Sequence, residues 1–206
     1  MGMKRKPDGT KCRAAEPKSW PGVHSIKADR DKQVPTGSYF PPEFYYNEKK
    51  VCVDCRNEFV FTAEEQLAWY ELYKIPHYAQ AVRCPYCQAE HKRVEALTAN
   101  YNRIVAELKT NANDPGLNTE FGRLAALRFE IQGIRKLDAA IAALRRAIRS
   151  KCCEPQAYYW LGRCFENTGK PVKAREMWTE FLDRADAKKG ELKRLMRDAR
   201  NRLENK

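Results

Sequence analysis

The N-terminal half of the chain contains two short stretches in which apolar and polar residues alternate. Residues 44–53 are rich in aromatic and β-branched types, and "EFVF" at 58–61 is similar. This pattern predicts two short antiparallel strands on either side of the turn "CVDC". Thr62 and Glu65 then have the spacing of a capping box, so a helix is predicted to begin at Thr62 and to end by Pro76.

Helical periodicity dominates the rest of the chain. A long helix is predicted after Cys87, with apolar positions from Val94 to Leu108, and it stops before "NANDPG". A second helix with an apolar face is predicted for residues 191–203, where Leu192, Leu195, Met196 and Leu203 share one side.

The last ninety residues contain an internal repeat. An offset of 34 residues aligns six pairs of apolar residues: Leu124 with Tyr158, Leu127 with Leu161, Ile131 with Phe165, Ala140 with Ala174, Leu144 with Trp178, and Ala147 with Phe181. This period is typical of the tetratricopeptide helix-turn-helix, and Gly162 occupies its small position. In the first repeat Arg128 stands at that position. We therefore expect two helix pairs followed by a capping helix.

These patterns divide the chain of 206 residues into four parts. Proline and glycine punctuate the first 40 residues, so we interpret 1–38 as a mobile basic tail and lead-in. Residues 39–93 form a small module with the paired cysteines, 94–116 a connecting helix, and 117–206 the helical repeats. Strands in one part and helices in the other place the protein in the α+β class.

The composition favours a cytoplasmic protein. The chain is 43% apolar and 32% charged, and no apolar run approaches the roughly 18 residues that span a bilayer. The basic start "MGMKRK" is followed by no apolar segment of a secretory signal, and Lys6 disfavours myristoylation. In a reducing compartment, clustered cysteines indicate metal ligation more often than disulfides.

Four cysteines have the spacing of a metal site. Cys52 and Cys55 form one C-x2-C pair, and Cys84 and Cys87 form a second. Two such turns brought together offer four thiolates to one tetrahedral zinc ion, with no position open for water. Iron fits the same ligands. A redox dithiol at the second pair is a further alternative, but it requires a βαβ pattern that the sequence does not contain.

The segment around these cysteines resembles a known family. "PPEFYYNEKKVCVDCRNEFVFTAEEQLAWYELYK", the later "VRCPYC" and the upstream "IKADRDKQVPTGSYF" are similar to a family of bacterial probable zinc-ribbon or treble-clef domains. The resemblance spans residues 20–93, and Arg56 stands where glycine is common. It implies zinc binding, a second ligand pair at the start of a helix, and no established activity. The expected fold is thus a small treble-clef-like zinc module followed by an all-α, tetratricopeptide-like array.

The remaining cysteines, histidines and tryptophans support no second site. We interpret Cys12, Cys152, Cys153 and Cys164 as non-ligands, since no further ligands lie near them in sequence. Among the histidines, His91 is the strongest candidate for a substitute ligand or a base. We nevertheless predict that it is a surface residue of a helix. Trp160 and Trp178 could stack on bases, and their repeat positions predict packing in a core.

Two functions remain from the sequence. The first is a non-catalytic adaptor, in which a structural zinc ion stabilises the small module and the helical repeats contact a protein. The second is nucleic-acid binding by the basic tail and the basic helical half. The formal net charge of +12 supports it, with 14 basic against 9 acidic residues in 151–206, but residues 51–100 have 5 against 7. No small-molecule substrate and no membrane partner are predicted.

Overall fold

The computed structural model describes residues 24–35, 37, 41–134, 136–150, 153–186 and 190–204. The chain divides into two compact units, 1–92 and 93–206. No helix among the described residues has both the length and the apolar character needed to cross a membrane. Strands and helices segregate along the chain, which confirms the α+β class.

The first unit contains two antiparallel strand pairs. Strand β1 (Ser25–Lys27) pairs with β2 (Phe44–Tyr46), with Ile26 opposite Tyr45. Strand β3 (Glu48–Val51) pairs with β4 (Glu58–Phe61), with Lys49 opposite Val60. The second pair is the hairpin predicted around "CVDC". The first was not predicted, because the partner of β2 lies in the lead-in.

A short helix follows the hairpin and closes the small core. Helix α1 (Ala63–Leu67) starts with the predicted capping box of Thr62 and Glu65, and a π-helical turn, Ala68–Leu72, extends it. The buried amide of Gln66 donates to the carbonyl oxygens of Tyr46 and Phe61. It thereby connects the ends of β2 and β4. The core consists of the buried side chains Ala28, Tyr45, Cys52, Phe59, Phe61, Ala63, Tyr70, Ala81 and Cys84.

The second unit consists of helices. Helix α2 (Pro85–Thr110) begins in the first unit and contributes its later turns to the second. The others are α3 (Pro115–Gln132), α4 (Asp138–Arg149), α5 (Gln156–Asn167), α6 (Pro171–Arg184) and α7 (Gly190–Glu204). Helix α3 packs on α4 and α5, α5 packs on α6, and α7 packs on α6 and α5. Helix α5 is the centre of this unit, since eight of its twelve residues are buried.

Two glycines allow the closest approaches between paired helices. A methyl group on Gly162 of α5 would lie 2.4 Å from the Trp178 ring of α6. A methyl group on Gly122 of α3 would lie 2.3 Å from the Leu144 side chain of α4. Both distances are far below van der Waals contact, so only glycine fits at either position without displacement of the neighbour.

The glycine contacts correct the predicted register of the first helix pair. In the first helix pair, the small residue at the close contact is Gly122 and not the residue aligned with Gly162, which is Arg128. The Arg128 guanidinium lies 4.1 Å from the centre of the Tyr101 ring. Ile131, aligned with the buried Phe165, is 49% exposed. The offset of 34 does match buried residues in the second helices, where Ala140, Leu144 and Ala147 of α4 correspond to Ala174, Trp178 and Phe181 of α6.

Candidate metal centre

The first pair of cysteines lies in a tight turn that leaves β3. Cys52 follows the last residue of the strand, and its amide donates to the carbonyl oxygen of Asn57 at 3.0 Å. The amide of Arg56 donates back to the Cys52 carbonyl oxygen, also at 3.0 Å. Arg56 has φ = 62°, a left-handed conformation that glycine adopts without strain. The turn thus brings the Cys52 and Cys55 thiols to the same side of the backbone.

The second pair lies at the start of α2. Cys84 immediately precedes the helix, Cys87 is in its first turn, and the amide of Gln88 donates to the Cys84 carbonyl oxygen at 2.9 Å. Free amides and the positive end of the helix dipole stabilise thiolate charge at such a position. The sequence predicts a helix after Cys87, and the helix begins three residues before that point, at Pro85 instead of Gln88.

Backbone and side-chain contacts connect the two turns. The amide of Val53 donates to the carbonyl oxygen of Val82 at 3.0 Å. Asp54, inside the first turn, accepts a hydrogen bond at 2.9 Å from the guanidinium of Arg83, which directly precedes Cys84. In the sequence, the only sign of this ion pair is an acid and a base next to opposite ligand pairs.

The four thiols converge on one point. The sulfur atoms of Cys52, Cys55, Cys84 and Cys87 all lie within 4.8 Å of one another. The Sγ atoms of Cys55 and Cys84 are 3.8 Å apart, nearly twice a disulfide bond length. A tetrahedron with zinc–sulfur bonds of about 2.3 Å has edges of about 3.8 Å. The spacing of the donor atoms therefore fits one tetrahedral metal ion.

The electrostatics of the cluster also favour a cation at its centre. Burial raises the pKa of the Cys52 thiol, but hydrogen bonds from the backbone amides of Cys55, Cys84 and Asp54 outweigh it and lower that pKa to about 6. Burial and the neighbouring thiols raise the pKa of Cys87 instead. Four adjacent thiolates repel one another, which opposes ionisation of all four in the absence of a cation. A divalent cation removes this repulsion and allows all four to bind it as thiolates.

No histidine or carboxylate of the described residues joins this cluster. The His24 ring makes a 2.7 Å contact with the Glu64 carboxylate, and the His77 ring packs against Tyr78. His91 lies on α2, one turn beyond Cys87. All four ligand positions are therefore cysteine sulfurs, and none of the three histidines occupies one.

The other predicted non-ligands are also placed by the structure. Cys153 and Cys164 are free thiols outside the cluster, while Cys12 and Cys152 lie outside the described residues. Both described sheets are antiparallel pairs of strands, so the described part of the chain contains no parallel βαβ unit around Cys84 and Cys87. The redox alternative thus lacks the fold that it requires.

The described tryptophans pack in cores rather than offer stacking surfaces. Trp160 and Trp178 are buried in the helical unit, as their repeat positions predict. The Trp69 ring packs edge-on against Phe61, with 5.0 Å between ring centres. Trp20 lies outside the described residues. The three described tryptophans are therefore structural.

Comparison with known proteins agrees with this geometry. Residues 44–95, about a quarter of the chain, match the family model of the probable treble clef domain. No curated protein and no solved structure matches the chain. The matched segment contains the β3–β4 hairpin, both cysteine pairs and the start of α2. Residues 44–95 thus match the probable treble clef domain, and the four cysteines 52, 55, 84 and 87 are positioned to hold one structural zinc ion.

Proposed function

We propose that the protein is a non-catalytic adaptor, in which zinc holds the treble clef unit in shape and the two units contact a protein partner. The observation that carries this proposal is the closed ligand set. Four cysteine sulfurs fill a tetrahedral coordination shell, and a catalytic zinc ion keeps one position for water or substrate. The zinc ion therefore stabilises the fold and takes no part in a reaction.

The helical unit supports the adaptor function through its architecture. We assign α3/α4 and α5/α6 to two tetratricopeptide-like pairs, with α7 as the cap. The supporting features are the two glycine contacts and the small buried residues Ala140 and Ala174 at equivalent points of α4 and α6. Arrays of this kind act as scaffolds that present an extended surface to another protein.

The treble clef unit offers the apolar part of the contact surface. The described residues include twelve exposed large apolar side chains, and only Ile131, Ile134 and Val172 belong to the helical unit. Leu72 and Tyr73 are the most prominent adjacent pair in the first unit, at 68% and 64% exposed. Protein interfaces depend on aromatic and aliphatic anchors. We therefore assign the anchors to the treble clef unit and polar contacts to the helices.

Metal analysis by native mass spectrometry tests the structural role of zinc. We expect one zinc ion in the parent protein and none in Cys84→Ser, whose treble clef unit then loses its fold. Cys153→Ser is the matched control, because this half-buried thiol lies outside the cluster and should leave the zinc content unchanged. An absorption spectrum taken on the same sample distinguishes iron from zinc. Full folding of a metal-free parent would contradict the proposal.

Affinity capture with paired variants tests the adaptor function. The treble clef variant carries Leu72→Ser and Tyr73→Ser, and the helical variant carries Ile131→Ser and Val172→Ser. We expect the parent and the helical variant to recover the same partner, and the treble clef variant to lose it. Recovery of the partner by all three proteins would contradict the assignment of the anchors.

Nucleic-acid binding is the second candidate function, and one observation favours it. Helix α7 carries a row of exposed basic side chains that make no ion pair with any described residue. Of the basic tail and lead-in, 1–38, residues 1–23 lie outside the described residues. The row on α7 is a separate surface, whose chemistry differs from that of the apolar anchors.

A further inference from the structure

Helix α7 has two chemically distinct faces. Its inner face packs into the helical core through the buried residues Leu192, Met196 and Ala199. Its outer face carries four exposed basic residues: Lys193, Arg194, Arg197 and Arg200. We name these four the α7 basic stripe. Lys193, Arg197 and Arg200 follow one another at spacings of four and three, so they lie on one side of the helix.

The stripe differs from several other arginines of its unit. Five described arginines there are paired with carboxylates: Arg103 with Glu107, Arg123 with Glu120, Arg163 with Glu130, Arg184 with Glu180, and Arg202 with Asp198. The four stripe residues make no hydrogen bond or ion pair with the described part of the chain. Their charges are thus available to a partner.

Helix α7 also contains three acidic residues, Glu191, Asp198 and Glu204, of which the Glu191 side chain lies outside the described part of the structure. The carboxylate of Asp198 accepts a hydrogen bond from the Tyr159 hydroxyl at 2.6 Å and from the Arg202 guanidinium at 2.7 Å. The contact with Tyr159 directs this carboxylate toward α5. Glu204 lies one turn beyond Arg200, at the end of the helix. Like charges at spacings of three and four destabilise a helix, so the stripe contributes nothing to folding that would explain it.

We propose that the α7 basic stripe is a nucleic-acid-binding surface that contacts the phosphate backbone. From Lys193 to Arg200 the helix rises about 10 Å, which is enough to place cations beside two or three successive phosphates. This surface deepens the nucleic-acid-binding function proposed above and rests on it, and it is independent of the adaptor function.

The composition of the stripe favours nucleic acid over an acidic protein. No large apolar side chain of α7 is exposed, although protein interfaces are anchored by such groups. A phosphate backbone requires only cations. Trp160 and Trp178, which could have read bases by stacking, are buried in the core. The expected binding is therefore electrostatic, independent of base sequence, and strongly weakened by salt.

Fluorescence anisotropy of the full-length, zinc-loaded protein tests the proposal. The probes are a labelled 20-base-pair DNA duplex and a labelled single-stranded RNA, each titrated between 25 and 200 mM NaCl; comparison of the two shows which nucleic acid binds more tightly. The stripe variant replaces Lys193, Arg194, Arg197 and Arg200 by Gln, which retains helix propensity. The control variant replaces Arg149, Lys170, Lys173 and Arg175 by Gln, four exposed basic residues of α4, α6 and the turn before α6.

The two variants have the same charge, so any difference in their affinity for the probes is due to the position of the stripe residues. We expect the stripe variant to bind at least tenfold more weakly at 50 mM NaCl, with the slope of log K against log salt on the duplex reduced by about 3. The control variant should lose less than threefold. Circular dichroism checks that both remain helical. Equal losses in the two variants, or an absence of binding by the parent at 25 mM NaCl, would overturn the proposal. So would displacement of the probe by polyglutamate as effectively as by unlabelled nucleic acid at equal charge.

Discussion

Arg56 occupies the one strained backbone position beside the zinc ligands. Its φ of 62° lies in the left-handed region, and its amide closes the turn on the Cys52 carbonyl oxygen. Glycine removes the steric cost of a Cβ at this position, so we expect Arg56→Gly to stabilise the zinc-bound turn by about 0.5–1 kcal/mol. Transfer of zinc to a chromophoric chelator should become about two- to fivefold slower.

A β-branched residue at the same position provides the opposite test. Arg56→Val places a side chain that strongly disfavours positive φ in the turn, and zinc transfer should become faster than in the parent. If the order of transfer rates is not Val, then Arg, then Gly, from fastest to slowest, backbone strain at this residue does not control the stability of the site.

Gly162 is a residue at which the helical unit tolerates little change. The methyl group of Gly162→Ala would meet the buried Trp178 ring at 2.4 Å, and a rigid indole in a filled core cannot move aside cheaply. Overpacking of this kind costs about 1–3 kcal/mol, which exceeds the gain in helix propensity of about 1 kcal/mol. We expect lower stability in urea unfolding followed by circular dichroism. Gly190→Ala is the control, because no atom lies within 4 Å of its added methyl group, and it should not destabilise.

At the scale of elements, a chain of charged contacts connects α3, α5 and α7. Arg163 of α5 pairs with Glu130 of α3 and lies 3.5 Å from Asp198 of α7, whose carboxylate also pairs with Arg202. Arg202 in turn contacts Glu166 of α5 at 2.6 Å. The three helices are therefore held together by side chains whose charges largely compensate one another. This network explains why α7 presents only its opposite face as unpaired positive charge.

The protonation of Asp198 makes this network sensitive to acid. Burial raises the pKa of Asp198, but the Tyr159 hydroxyl and the Arg202 guanidinium outweigh it and lower the pKa below its ordinary value of 3.8. The contribution of the Asp198 carboxylate to the free energy of unfolding is therefore complete above pH 3.8. It is lost as the pH falls through the lower pKa that this group has in the folded protein. We expect Asp198→Asn to cost about 1 kcal/mol at pH 7, and this difference from the parent to shrink below about pH 4.

Urea unfolding at several pH values measures that difference. Asp183→Asn is the control, since this exposed carboxylate of α6 makes no ion pair with the described residues. Its unfolding midpoint should follow the parent at every pH. A constant gap between Asp198→Asn and the parent from pH 7 to pH 3 would show that the loss is one of packing and not of charge.

Structural features that depend on residues close together in the sequence could be predicted from it. The capping box at Thr62 and the two C-x2-C turns depend on residues three positions apart, and the structure has the predicted helix start and hairpin at these places. The pairing of β1 with β2 joins residues about twenty positions apart through only three residues on each strand, so no local pattern reveals it.

The internal repeat shows a second reason why prediction from the sequence was incomplete. Self-alignment at a single offset assumes that equivalent helices have equal lengths and connections. Trp178 lies 34 positions after Leu144, but Gly162 lies 40 positions after Gly122. Helix α3 extends further beyond its glycine than α5 does, and the connection to α4 is longer than that to α6. The register of α4 with α6 is therefore readable from the sequence, while that of α3 with α5 requires tertiary contacts.

At the scale of the whole molecule, each unit has its own core, and only one contains the metal ligands. The core of the first unit includes Cys52 and Cys84 among nine buried residues. The core of the second unit is built from α2–α7 and includes no zinc ligand. A small unit that derives its fold from a metal ion unfolds when the metal is removed, whereas an apolar helical core does not require it.

Removal of zinc should therefore unfold the two units unequally. Upon addition of a strong chelator, or at a pH low enough to protonate the thiolates, we expect the near-ultraviolet signal of Tyr45, Tyr70 and Trp69 to collapse. The helical signal at 222 nm should fall only by the contribution of α1 and the first turns of α2, while the buried Trp160 and Trp178 keep their fluorescence. Because Gly162→Ala acts on the second core alone, it should lower the urea midpoint of the helical signal without changing the chelator concentration that releases zinc. Simultaneous loss of all signals with the metal would mean that the helical unit depends on the zinc ion for its fold, despite a core that contains none of its ligands.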